Sequence, residues 1–133
     1  MKPVFADTFY YLALLIPGES AHNQAVAVTE QMKYRIVTTA WVLTELGNAM
    51  ASPKNRGVFV RFVEALAARP EVAIVPPSQS LFEKGMALYS KRQDKSWSLT
   101  DCISFVVMRQ HKISTALTGD RHFEQAGFDV LLK

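Results

Sequence analysis

Four carboxylates fall where chemistry is done rather than where solvent is met: Asp7, Glu45, Asp101 and Asp120. Asp7 ends the apolar run Val4-Phe5-Ala6, and Asp120 closely follows the run that ends in Leu117. Asp101 opens a strongly apolar stretch, and Glu45 lies inside another. Each aspartate has a structural reading. Asp7 and Asp120 can cap the helices that follow them, and Ser98-Leu99-Thr100-Asp101 has the S-x-x-D form of a capping box. Glu45 fits that reading less well. At about 100° per residue, Val42, Leu46, Ala49 and Met50 form the apolar face of its helix, and Thr44, Gly47 and Asn48 lie on the polar side. Glu45 falls on the flank, between Trp41 and Ala49. A carboxylate there needs a partner, because burying an unpaired charge is costly. That partner is an arginine, or a cation shared with the aspartates. Four converging carboxylates repel one another unless a cation is bound or some hold protons. Hard oxygen donors suit Mg²⁺ or Mn²⁺ rather than Zn²⁺. Such sites leave room for water and a substrate phosphate, which is what metal-assisted phosphodiester hydrolysis requires. His22, His111 and His122 lack zinc spacing and read as surface or boundary residues.

The elements that must position these acids alternate short β-type runs with longer helical ones. Strands are expected over 4–6, 35–38, 72–75, 114–117 and 128–131, and helices over 8–16, 20–33, 40–51, 56–69, 79–91, 99–110 and 121–125. Pro17-Gly18, Ser52-Pro53, Pro70 and Pro76-Pro77 punctuate them, and 94–97 reads as a polar loop. Alternating strands and helices imply βαβ units with right-handed crossovers. The expected fold is therefore α/β, a three-layer α/β/α sandwich with a central, mainly parallel sheet. Ligands of such sheets bind at the carboxyl ends of the strands, where Asp7 and Asp120 should lie.

Composition narrows the field further. The 133 residues fit a single domain spanning 1–133, and 49% hydrophobic with 20% charged residues is a globular balance. One cysteine, Cys102, excludes an intrachain disulfide and a Cys-rich zinc site. No apolar run approaches the roughly 20 residues that cross a bilayer. Asp7 and the lack of a long apolar core after Lys2 argue against a cleaved leader, so the expected setting is cytoplasmic. A net charge of +3 permits a polyanionic partner without demanding one. No glycine-rich phosphate loop is present.

Together these residues make the chain resemble a PIN domain, closest to the VapC-type toxins and stand-alone bacterial PIN proteins. Four blocks carry the resemblance along nearly the whole chain. They are Val4-Phe5-Ala6-Asp7-Thr8, Thr44-Glu45-Leu46, Ser98 through Phe105, and Ala116 through Phe123 with Gln125-Ala126-Gly127-Phe128. The resemblance implies an endoribonuclease that uses Mg²⁺ or Mn²⁺ on single-stranded RNA, leaving a 5′-phosphate and a 3′-hydroxyl. The family's acidic quartet maps onto Asp7, Glu45, Asp101 and Asp120 as catalytic metal ligands, with Asp120 the most variable. Thr118, and with it Thr8, would orient the quartet from behind. The same resemblance implies an antitoxin protein as partner, and a homodimer, for which the apolar stretches 9–15 and 59–66 offer surfaces.

The chain departs from the family pattern at Phe9, where many relatives carry a small polar residue, and at Ser104, where Ala is common. Phe9 also removes the second aspartate that a haloacid-dehalogenase-type phosphatase requires. Arg121, Lys91, Arg92 and Lys95 are candidates for RNA-binding contacts along a groove, with a solvated loop as the other reading. Lys54 and Arg56 read more readily as a solvated turn. Trp97 either stacks a base or packs its loop onto the apolar helix. Two other functions fit the same residues: a stand-alone RNA-processing nuclease, and a catalytically idle PIN module that binds RNA or protein.

Overall fold

The computed structural model describes residues 2–133, so residue 1 lies outside the description. Five strands, β1 (Pro3–Ala6), β2 (Arg35–Thr39), β3 (Val72–Val75), β4 (Thr115–Leu117) and β5 (Asp129–Val130), form one sheet in the order β3-β2-β1-β4-β5. Every pairing is parallel, so the sheet is wholly rather than mainly parallel. Seven helices connect the strands: α1 (Thr8–Leu15), α2 (His22–Gln31), α3 (Ala40–Ala49), α4 (Pro53–Ala67), α5 (Gln79–Lys91), α6 (Leu99–Gln110) and α7 (Arg121–Gln125). The strand order steps one way from β1 to β3, then jumps back across β1 to β4. With right-handed crossovers, that reversal puts α1–α4 and α5–α7 on opposite faces.

Central strands of such a sheet are covered on both sides and read as unbroken apolar runs. Val4, Phe5 and Ala6 of β1 are all buried, and the register pairs Val4 with Ile36 and Phe5 with both Val37 and Ala116. Below them α6 is buried nearly all round, through Cys102, Ile103, Phe105, Val107 and Met108. Phe105 packs edge-on against Phe123 and Trp97, which ties α6 to α7 and to the loop before α6. Gly85 lets α5 lie directly on α6, since a methyl group there would overlap Ile103.

Most element ends fall within a residue or two of expectation, and the exceptions have local causes. The Pro53 that closes α3 also opens α4 three residues earlier than expected, with Ser52 at its N-cap and Pro53 in the first turn. Proline suits that position because its missing N–H would be unpaired there anyway. Helix α2 begins at His22, whose Nδ1 lies 2.7 Å from the Ala13 carbonyl and pins α2 to α1. Strand β5 shrinks to Asp129–Val130 at the sheet edge. The apolar stretch 9–15 is largely core, with Tyr10, Tyr11 and Ala13 buried, whereas Val60 of α4 stays 51% exposed. No helix among the described residues is long and apolar enough to cross a membrane.

Candidate metal centre

The sheet reverses direction between β1 and β4, and a crevice opens at the carboxyl ends of strands flanking such a switch point. Asp7 is the residue that leaves β1, and Thr118 to Asp120 leave β4. Helix α3 brings Glu45, and the first turn of α6 brings Asp101. All four acids line one open cleft of about 360 Å³, together with Phe9, Leu12, Ser96, Ser98 and His122. The strand-end placement expected for Asp7 and Asp120 therefore holds, and the two helical acids join them.

Each aspartate is fixed by the fold. Asp7 is 3% exposed, and its Oδ2 accepts a 3.0 Å hydrogen bond from the Thr118 hydroxyl. The same Thr118 oxygen accepts from the Asp120 backbone N–H at 3.1 Å, so one hydroxyl joins two acids. Asp101 is both a cap and a member of the cluster. Its Oδ2 accepts from the Ser98 N–H at 3.0 Å in a complete capping box, while Oδ1 has no hydrogen bond among the described residues. Asp120 caps α7 by accepting from the His122 N–H at 2.9 Å through Oδ1. Capping and clustering thus coexist on one carboxylate. Glu45 is half-buried and makes no side-chain hydrogen bond or ion pair among the described residues, so no arginine answers it.

Thr8 behaves differently from Thr118. Its hydroxyl points toward the Val42 carbonyl at 3.5 Å, bracing α1 against α3, and it reaches no carboxylate. Its backbone amide supports Asp7. His122, set aside on spacing, sits inside the site. Its Nδ1 lies 3.0 Å from Asp101 Oδ2 and 3.4 Å from Asp120 Oδ1, which favours the tautomer protonated on Nδ1. The sequence signal was its place two residues after Asp120, at the start of a short helix. Phe9 packs against Gly119, where an added methyl would approach its ring to 2.6 Å. The departure from the small polar pattern therefore builds a wall of the cleft.

Charge is strained here. Burial pushes the Asp7 carboxyl up from 3.8 to about 7, with the Asp101 and Glu45 charges adding to the rise. Asp101 is also raised, mainly by burial, against lowering contributions from Ser98 and His122. Ligand atoms of Asp101, Asp120 and His122 all lie within 4.8 Å of one another. Carboxylate oxygens suit a hard divalent cation, which would relieve the repulsion, with the His122 Nδ1–H holding two of the carboxylates in place.

The candidate RNA contacts lie outside this cleft. Arg121 is exposed at the first position of α7. Lys91 ends α5 exposed, and Arg92 and Lys95 follow it in the next loop. Trp97 is 5% exposed, with its Nε1 donating to Gln125 and Arg92 over its ring, so it packs the loop. Arg56 donates to the Ala51 carbonyl at 2.9 Å, a structural role.

A wholly parallel α/β sheet with carboxylates gathered at its switch point defines a class of acidic sites placed where ligands of such sheets bind. The chain belongs to the PIN domain family, whose model matches residues 4–129. The 23S rRNA-specific endonuclease VapC20 of Mycobacterium tuberculosis is 27% identical over 128 residues, covering 94% of this chain and 95% of VapC20. The crystal structure of VapC20, a sarcin-ricin loop cleaving toxin, superposes with a TM-score of 0.88 at 23% identity, over 98% of this chain and 99% of that one. A toxin-antitoxin complex from Klebsiella pneumoniae contains a chain with a TM-score of 0.67 at 19% identity, covering 96% of this chain and 95% of that one.

Proposed function

We propose that this chain is an endoribonuclease toxin that cuts single-stranded RNA in the cytoplasm with Mg²⁺ or Mn²⁺, held in check by an antitoxin protein. One observation carries the reading: four acids converge on the switch point, and one of them, Asp7, is so buried that its carboxyl is pushed up to about 7. A protein that only binds has no use for that arrangement. Membership of the PIN family and likeness to an rRNA endonuclease over nearly the whole chain support the substrate class. Likeness to a chain of a toxin-antitoxin complex supports the partner class.

Asp7, Glu45, Asp101 and Asp120 would hold the cation, with His122 beside Asp101 and Asp120. Bound there, a divalent cation lowers the pKa of a water and offsets charge on a phosphate. The chain's own residues fix the geometry. Thr118 keeps Asp7 and Asp120 in register, the capping box holds Asp101, and His122 orients the Asp101 and Asp120 carboxylates. Phe9 and Leu12 give the cleft an apolar wall.

The test is cleavage of a fluorescent single-stranded RNA pool in Mg²⁺ or Mn²⁺, beside EDTA and the Asp101→Asn variant. Metal-dependent cutting that disappears in Asp101→Asn, with 5′-phosphate products, is the expected result. A folded, metal-loaded protein that binds RNA without cutting it would favour an idle module. Cutting without any neighbouring antitoxin gene would favour a stand-alone processing nuclease.

A further inference from the structure

Next to the acidic cleft lies a second one of about 480 Å³, between the end of α5 and the loop before α6. Ser96 and Ser98 line both, so the two clefts share a rim. The second cleft is lined by Tyr89, Arg92, Gln93 and Lys95, with Trp97 and Cys102 on its inner side. It holds two cations, an exposed aromatic ring and an amide beside a cleft of carboxylates. Its size falls within the range of small-ligand pockets, about 300–1,000 Å³.

We propose that this second cleft is a nucleotide subsite that takes the nucleotide next to the scissile phosphate of a single-stranded RNA, stacking its base on Tyr89 and holding its phosphate with Lys95 and Arg92. The inference rests on the nuclease reading of the acidic site and extends it. The aromatic partner is Tyr89 rather than Trp97. Tyr89 is 49% exposed, whereas the Trp97 ring is already covered by Phe105 and Arg92. Arg92 is held in place from two sides, with Nε and Nη2 donating to Asp94 at 3.0 and 3.1 Å and its guanidinium 5.1 Å from the Trp97 centroid. A cation so fixed gives up little freedom on meeting a phosphate. Lys95 sits 3.8 Å from Asp94 across an open loop and can swing to a stronger anion. Buried Cys102 lies at the floor. Single-strand binders combine these elements, a cationic groove beside an aromatic platform.

The test compares two substrates in Mn²⁺: a single-stranded RNA pool, and bis-p-nitrophenyl phosphate, a diester with no base. Base stacking on an aromatic ring is worth about 5- to 150-fold in affinity. Tyr89→Ala should raise the apparent KM for RNA about 10-fold with kcat little changed, Tyr89→Phe should behave as wild type, and both should hydrolyse the diester normally. Lys95→Gln should flatten the salt dependence of log KM by about 0.7, because one phosphate is no longer neutralised. An unchanged KM in Tyr89→Ala, or equal losses on both substrates, overturns the subsite while the nuclease reading stands. Diester hydrolysis by the wild type without RNA cutting overturns it too. A wild type that cuts neither substrate refutes the nuclease reading and the subsite together. Phe82, Met86 and Tyr89 are all exposed on α5, so sedimentation is run alongside. A dimer that Tyr89→Ala dissociates assigns the ring to a contact between copies and overturns the subsite.

Discussion

Replacing Asp7 by asparagine should stabilise the metal-free protein at neutral pH while abolishing its chemistry. Folding moves the Asp7 carboxyl from 3.8 to about 7, chiefly by burial. The folded state therefore holds the proton more tightly than the unfolded one. Well below the unfolded value of 3.8 both states are protonated and stability is untouched. As pH rises toward 7 the unfolded chain ionises first, and stability falls at about 1.4 kcal/mol per pH unit. Above 7 the loss levels off, at about 4 kcal/mol for a rise from 3.8 to about 7. Asparagine is nearly isosteric, cannot ionise, and still offers Thr118 a carbonyl oxygen. The assay is urea unfolding in EDTA at about pH 4.5 and pH 8, with the midpoint read at constant slope. Asp7→Asn should lie within about 1 kcal/mol of wild type at the lower pH and exceed it by about 2–4 kcal/mol at the higher one. Saturating Mn²⁺ should close most of that gap. A cation at about 100 times its Kd stabilises wild type by about 2.7 kcal/mol, and the variant, lacking the carboxylate, should gain far less. Equal destabilisation of Asp7→Asn at both pH values would refute the reasoning, because it would mean that the carboxylate supports the fold instead of straining it.

Three further outcomes follow from particular side chains. Thr118→Val removes the donor to Asp7 and orphans the Asp120 N–H, so it should cost about 1–3 kcal/mol and slow RNA cleavage, whereas Thr118→Ser should restore both. Gly85→Ala drives a methyl into Ile103 and should cost about 1–3 kcal/mol by overpacking, read by urea unfolding. Gly119→Ala pushes the Phe9 ring off its seat beside the acids, so hydrolysis of bis-p-nitrophenyl phosphate should fall more than stability does.

Local pattern was enough to place Asp7 and Asp120, because an apolar run ending in an acid marks the end of a buried parallel strand. It also revealed the Asp101 capping box, which depends on residues three apart. What the pattern could not give is proximity across elements. His122 joins the cluster only because Phe123, one residue on, is locked under Phe105 and beside Phe5, which turns the first turn of α7 toward α6. Trp97 is half apolar surface and half indole N–H, and whether it faces a base or the core depends on Gln125 being there to receive that N–H. Thr8 and Thr118 look alike in sequence, each a hydroxyl beside an acid. Backbone direction separates them: Thr118 leaves a strand facing Asp7, while Thr8 lies in the first turn of a helix that leans on α3.

The aspartates also divide their labour oxygen by oxygen. Asp101 gives Oδ2 to its capping box and to His122, and Asp120 gives Oδ1 to the start of α7. The second oxygens of both carry no hydrogen bond among the described residues, so they are the ones open to a ligand. Helix formation itself therefore aims the free oxygens, and under the proposed function a cation would meet a cluster already in place. A preorganised cluster of this kind costs stability without its cation, most of all at Asp7. Under the proposed function it would also spare reorganisation as charge develops on a phosphate. The buried aromatic contacts of Phe123 with Phe5 and Phe105 anchor the start of α7, and with it Asp120 and His122, against β1 and α6. That packing opposes the repulsion among the acids at the strand ends, because moving Asp120 away from Asp101 would require breaking it.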